Sequence, residues 1–212
     1  SLIIFLLVTL SACFSIFILI FLILYILING IPYLKPSLFA FTYTSENVSV
    51  FPSIITTLYT IFLALLVSAP LGIGCAIYLS EYAKRGNRLV KIIRLTAETL
   101  SGIPSIVYGL FGMLMFVTAL HWGYSLLAGS FTLSIMVLPV IMRSTEEALK
   151  SVPDSYREAS FGLGAGRLYT IFKVVLPAAV PGILAGIILA IGRIIGETAA
   201  LIYTSGTVAQ IP

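Results

Sequence analysis

The sequence predicts an all-α polytopic membrane protein, and two observations carry that prediction. Of 212 residues, 59% are hydrophobic and 9% charged, whereas about a quarter of a soluble domain is charged; the mean hydropathy is +1.12. Uncharged apolar runs, several long enough for the roughly 20 residues a bilayer crossing needs, alternate with short polar segments that hold nearly all the lysine and arginine. Helices satisfy their own backbone groups inside lipid, so these runs read as spanning helices. The expected organisation is a first transmembrane helix over 1–28, an extracytoplasmic loop over 29–52 and a membrane core over 53–212 with a long cytoplasmic loop at about 143–177.

The first span is Leu2 to Ile28, 27 residues without a charge. It is too long for the apolar core of a signal peptide, and no small-residue cleavage site follows it. Asn29 to Pro52, with Pro32, Tyr33, Pro36, Tyr43 and Glu46, reads as a loop with a short interfacial helix, placing Phe39, Phe41 and Phe51 at the head-group level. Ile54 to Leu79 is the second span; its Pro70 is tolerable because neighbouring groups in a membrane helix take up the freed carbonyl. The third, Leu100 to Leu120, carries Gly102-Ile103-Pro104 near its start, which predicts a bent or broken entry. The fourth runs from Tyr124 to Met142 around Pro139, and the fifth from about Pro181 to Tyr203.

Lysine and arginine set the orientation. The 81–94 segment has Lys84, Arg85, Arg88, Lys91 and Arg94; the 143–173 segment has Arg143, Lys150, Arg157, Arg167 and Lys173; the opposite loops offer Lys35 alone. The positive-inside rule makes both rich segments cytoplasmic, and the N-terminus with them. Five spans leave Thr204–Pro212 outside.

Several function classes fall away. The basic residues sit in short loops between spans, so nucleic acid is not the partner. Cys13 and Cys75 lie within apolar runs and read as small buried hydrophobes. The single histidine, His121 beside Trp122, reads as interfacial. No nucleophile–base or metal-ligand constellation can be assembled from this inventory, no cofactor is implied, and no P-loop is present to bind ATP.

Charge inside the fifth span is the strongest pointer to chemistry. Gly192-Arg193-Ile194-Ile195-Gly196-Glu197-Thr198 keeps two ionisable groups where arginine costs about 2.5–3.5 kcal/mol on insertion scales. Arg193 and Glu197 are four apart, so a continuous helix places them on one face, able to pair, and Gly192 and Gly196 leave room for a close neighbour. One reading is a structural ion pair; the other is a substrate path, the default for intramembrane charge. A guanidinium matches an oxyanion, so the path reading points to an anion without naming it. Arg143 and Glu146 stand at the cytoplasmic end of the fourth span. Arg94 and Glu98 repeat the four-residue spacing at the third and read as a solvated face.

The 143–177 loop is too regular to be slack. Ser155 and Glu158 have capping-box spacing, so a short helix should start there and stop near Gly162–Gly164. A second should run from about Arg167 to Val175 and end at Pro177. Glu158, Ala159, Ser160, Gly164, Val174, Leu176 and Pro177 fall at the spacing of the EAA loop of ABC importer permeases, with Ser160 replacing the third alanine of that pattern and Val174 its usual isoleucine.

The run from Leu138 to Leu201, with Ala69–Ile73, Tyr78–Tyr82 and Gly102–Gly109, resembles the permeases of the phosphate-specific (Pst) ABC importer, the A-type subunit more than its C-type partner. The resemblance implies a type I (MetI-like) permease domain with five spans in this chain and a missing sixth, so that the chain is a truncated form of a longer protein. It implies a multi-pass protein of a bacterial or archaeal cytoplasmic membrane, not itself an enzyme. Its partners would be a second permease, two ATPase subunits and an extracytoplasmic phosphate-binding protein. Arg193, Arg143, Glu146 and Glu197 would serve phosphate passage, and Glu158, Ala159, Ser160 and Gly164 ATPase coupling. A sister phosphate permease, a sulfate or molybdate importer, and more remotely a channel or membrane-embedded enzyme remain alternatives.

Overall fold

The computed structural model describes residues 2–41, 43–44, 49–84 and 86–206; Glu46, Arg85 and the tail at 207–212 lie outside them. The chain divides into two units, Ser1–Pro52 and Ser53–Pro212.

In the first unit α1 spans Leu2–Gly30, and none of its residues is buried. A helix apolar on every side is suited to lipid. Cys13 is therefore exposed, not the buried small residue expected. Two 3₁₀ turns follow, Ile31–Tyr33 and Pro36–Phe39, each opened by a proline whose fixed φ suits a first helical turn. Phe41 and Phe51 meet edge to face with centroids 4.5 Å apart.

In the second unit α2 spans Phe51–Ile77 and runs on through a π-helical turn, Tyr78–Tyr82. Next come α3, Arg88–Ser101, and α4, Ser105–Gly112, extended by a second wide turn to Ala119. Gly102-Ile103-Pro104 breaks the chain between them, and Arg88–Ser101 and Ser105–Ala119 are bent by 101°. The expected third span is thus a bent pair: Pro104 denies its preceding residue a helical backbone, and the Tyr108 hydroxyl donates to the Leu100 carbonyl at 2.8 Å across the bend.

The centre of this unit is α5, Leu126–Ser151, capped by the Ser125 hydroxyl on the Ala128 amide. Leu133, Met136, Val137, Ile141, Met142 and Leu149 on it are fully buried. They are so because α5 is walled by α2, α3, α4 and the last long helix, and Ser134 donates to the Ala64 carbonyl of α2 at 3.1 Å. The helix continues well past Met142, where the expected fourth span stops.

After α5 come α6, Asp154–Gly162, and α7, Arg167–Thr170. A third wide turn, Ile171–Val175, then joins α7 without interruption to α8, Leu176–Ile195. Pro177 does not end the helix. The Leu176 amide reaches back five residues to the Ile171 carbonyl, and the widened turn accommodates the ring that an α-helical turn would reject. The seam between α8 and α5 is built from small residues: a Cβ on Gly182 would lie 2.6 Å from Ala148 Cβ, and one on Gly186 2.4 Å from Ser144 Cβ. Such residues let helix backbones approach closely.

The expected fifth span to Tyr203 is likewise broken. The helix stops at Ile195, Gly196–Thr198 separate it, and α9 covers Ala199–Thr204. The short α9 packs on α4, where a Cβ on Gly109 would come within 2.8 Å of Ala200 Cα. Among the described residues four helices are long and apolar enough to cross a membrane, five if the bent pair is one span.

Candidate functional site

The loop after α5 folds as a helical hairpin. Its turn needs a left-handed residue, supplied by Gly164 at φ +84. The amides of Leu163, Gly164 and Ala165 return to the carbonyls of Ala159, Phe161 and Ser160 at 3.1, 2.9 and 3.1 Å, closing the end of α6 as such a glycine permits. The capping box does not form: α6 starts one residue early at Asp154, after Pro153, with no side-chain cap. Pro153 holds the N-cap position in place of Ser155, at φ −57 and ψ 140. The two limbs are joined by Ser160 and Thr170, both buried, with their hydroxyls 2.8 Å apart. Serine at the third position of the Glu-Ala-Ala pattern is thus matched by a threonine ten residues on.

Glu158, Ala159 and Leu163 face outward; Leu163 is 90% exposed. Tyr156, Ala159, Leu163, Tyr169 and Val174 border a cavity of about 770 Å³ on the hairpin.

The hairpin is fastened to α2. Arg157 donates through Nη2 and Nε to both oxygens of Glu81, at 2.6 and 3.3 Å, and to the carbonyls of Leu149 and Val152 at the end of α5, each at 2.9 Å. Asp154 Oδ1 lies 3.3 Å from its Nη1. The hydrogen bond to Glu81 and the two nearby carboxylates hold this guanidinium above its ordinary pKa despite partial burial. From the other limb Arg167 donates to the Glu81 carbonyl and lies over the Tyr82 ring, 5.0 Å from its centroid. Sequence reasoning counted Arg157 and Arg167 only toward membrane orientation. The one signal available was Glu81, an acid opening a strongly basic segment.

The four residues expected to line a substrate path are not brought together. Glu146 is buried, 5% exposed, and pairs with Arg94 and Lys150 at 2.6 Å each. Arg94 and Glu98 are both exposed, as expected of a solvated face, and Arg94 in addition reaches Glu146. Arg143 is exposed and borders, with Glu146, a cavity of about 190 Å³. Arg193 and Glu197 lie elsewhere, at and just beyond the end of α8, and do not form the ion pair that one of the two readings allowed, because the helix that would align them stops between them. Glu197 instead accepts from the Ala200 amide at 3.1 Å and caps α9. Among the described residues, no neighbouring atom lies within 4 Å of where a Cβ on Gly192 would sit. Arg193, half-buried, has no carboxylate within ion-pair distance among the described residues. Among the described residues no group of side chains could hold a metal.

Residues 68–209 match the family of binding-protein-dependent transport system inner membrane components. The chain belongs to that family. Among members of this transport family it is 41% identical over 187 residues to the probable ABC transporter permease protein YqgI of Bacillus subtilis, covering 86% of this chain and 62% of that protein. It is 46% identical over 142 residues to the phosphate transport system permease protein PstA 2 of Mycobacterium bovis, 67% of this chain and 46% of the relative. With PstA 1 of Mycobacterium tuberculosis it shares 38% over 157 residues, 74% and 51% of the two chains. The chain thus spans about half to three fifths of these relatives. An inward-facing structure of the MetNI methionine ABC transporter superposes with a TM-score of 0.58 at 22% identity, over 71% of this chain and 70% of that one. The fold is accordingly the MetI-like permease fold, as expected for an inner membrane component of a binding-protein-dependent transport system.

Proposed function

We propose that this chain is the permease subunit of an ATP-driven importer of inorganic phosphate, in which movement of an ATPase subunit enters through the Glu158–Pro177 hairpin and alternates access to a path near Arg193. The observation that carries the reading is the hairpin itself. Its outer border is exposed and apolar, while its inner side is held to α2 and α5 by Arg157 and Arg167, so displacement of the hairpin pulls on two spanning helices. Glu158, Ala159 and Gly164 belong to the outward surface, Ser160 to the bolt between the limbs.

Phosphate as the cargo rests on the likeness to phosphate transport permeases and on Arg193. A helix broken at Gly196–Thr198 beside a half-buried guanidinium has the form of discontinuous-helix substrate sites in transporters. Arg143 and Glu146 belong to the cytoplasmic end of the path, where Glu146 is restrained by Arg94 and Lys150. Glu197 contributes by fixing the start of α9. The partners are a second permease, a pair of ATPase subunits and an extracytoplasmic phosphate-binding protein, in a bacterial or archaeal inner membrane with the N-terminus in the cytoplasm. A cargo biases alternating access only through different contacts in the two states, and Arg193 is the residue placed to make them.

Uptake of labelled phosphate by the full-length complex carrying Arg193→Gln tests this. Loss of uptake with assembly intact is expected. Unchanged, fully coupled uptake would remove Arg193 from the path, and displacement of phosphate by sulfate or molybdate at the cognate binding protein would reassign the cargo.

A further inference from the structure

We propose that the cavity enclosed by the end of α2, the start of α3 and the end of α5 binds the phosphate-bearing headgroup of an anionic phospholipid. Its volume is about 830 Å³, within the range of small-ligand sites, about 300–1,000 Å³. The lining holds six cations, Lys84, Arg88, Lys91, Arg94, Lys150 and Arg157, against three carboxylates. Two of those carboxylates, Glu81 and Asp154, are engaged by Arg157, and Arg94 and Lys150 are shared with Glu146. Lys84, Arg88 and Lys91 have no ion pair among the described residues, and Glu98 is the carboxylate left facing them. The remaining charge of the cavity is positive and lies on the α3 wall.

The helix supplying that wall has the form of an interfacial helix. Arg88, Lys91 and Arg94 recur along one flank of α3, and Val90 and Ala97 are buried against the protein. Leu89 and Ile92 stand exposed on the remaining flank, and Leu95 lies at the cavity's border. α3 is bent 101° from Ser105–Ala119, so α3 runs along the membrane surface where Ser105–Ala119 enters the bilayer. Basic amphipathic helices at that depth attract anionic headgroups and set apolar side chains at the acyl boundary. Asn87 caps α3 through the Leu89 amide at 3.0 Å, and the positive end of this 14-residue helix opens at the cavity. Free phosphate would make no use of Leu89, Ile92 and Leu95, so the structure assigns a lipid. The inference rests on α3 lying at the interface and is independent of what the importer carries.

The test is titration of the purified full-length complex with a fluorescent phosphatidylglycerol, with phosphatidylcholine of the same acyl chains, and with inorganic phosphate. Saturable binding of phosphatidylglycerol is expected, weakened about fivefold for each cation removed and so roughly 25-fold in Arg88→Gln/Lys91→Gln, with Arg88→Lys/Lys91→Arg retaining it. Should the double variant fail to assemble, Lys84→Gln alone reads the same effect. Equal binding of both lipids, or no change in the glutamine variants, overturns the proposal. Displacement of the lipid by millimolar phosphate would make the cavity a soluble-anion site and overturn it as well.

Discussion

Arg157 and Glu81, 76 positions apart in the chain, meet through two nitrogen–oxygen contacts of 2.6 and 3.3 Å. Their side chains are 16% and 9% exposed, so this is a sheltered, two-pronged pair. Removing one partner of such a pair strands the other's charge, at a cost of about 3 kcal/mol. Glu81→Gln should lower the melting temperature of the full-length complex and weaken the link between ATPase activity and uptake. Arg157→Lys should do much the same, since an ammonium does not replace the planar fork. A double-mutant cycle reads the coupling directly, and a value under about 0.5 kcal/mol would mean that the clasp is incidental.

Gly164 adopts φ +84 with nothing within 4 Å of where a Cβ would sit. Substitution there is penalised by the backbone and not by crowding. Gly164→Asn should be nearly neutral, because asparagine accepts the left-handed region. Gly164→Val should cost about 1–2 kcal/mol and impair coupling while leaving membrane insertion intact. Equal effects of the two variants, by uptake per ATP hydrolysed, would point to a steric cause.

Ser160 and Thr170 should respond unequally. The Thr170 hydroxyl also donates to the Gly166 carbonyl at 3.2 Å, so Ser160→Ala leaves it a partner and should cost under about 1 kcal/mol. Thr170→Val leaves the buried Ser160 hydroxyl without its 2.8 Å partner and should cost about 1–3 kcal/mol. Thermal denaturation of the two variants measures the difference, and the opposite ranking would contradict the geometry.

Gly186 faces Ser144 across the α5–α8 seam with 2.4 Å between a hypothetical Cβ and the serine Cβ. Gly186→Ala should destabilise by about 1–3 kcal/mol, and Ser144→Gly in the same chain should return part of that loss. Gly192→Ala, which meets no neighbouring atom among the described residues, should be close to neutral for the isolated subunit. Melting of the detergent-solubilised protein compares the three.

Composition and apolar run length made the membrane class and the number of long helices legible, since both depend on what lipid excludes. Gly102-Ile103-Pro104 foretold the bend, and Gly162–Gly164 the hairpin turn, because glycine and proline act on their own backbone. Pro177 misled because a widened turn upstream accommodates its ring, which is a property of five residues and not of one. Arg193 and Glu197 misled because four-residue spacing implies pairing only if the helix persists between them. Glu197 was taken by the start of the next helix. The Arg157–Glu81 contact had no local pattern at all: it exists because the end of α2 and the start of α6 come to the same place at the end of α5.

The glycine seam of α5 and α8 has one more consequence. Surfaces meshed this closely, with backbone against side-chain root, leave no slack for sliding or shear. α5 and α8 must therefore swing together as one stiff rod. Whatever bending the unit undergoes is left to the interrupted stretches at 102–104 and 196–198, its hinges by default.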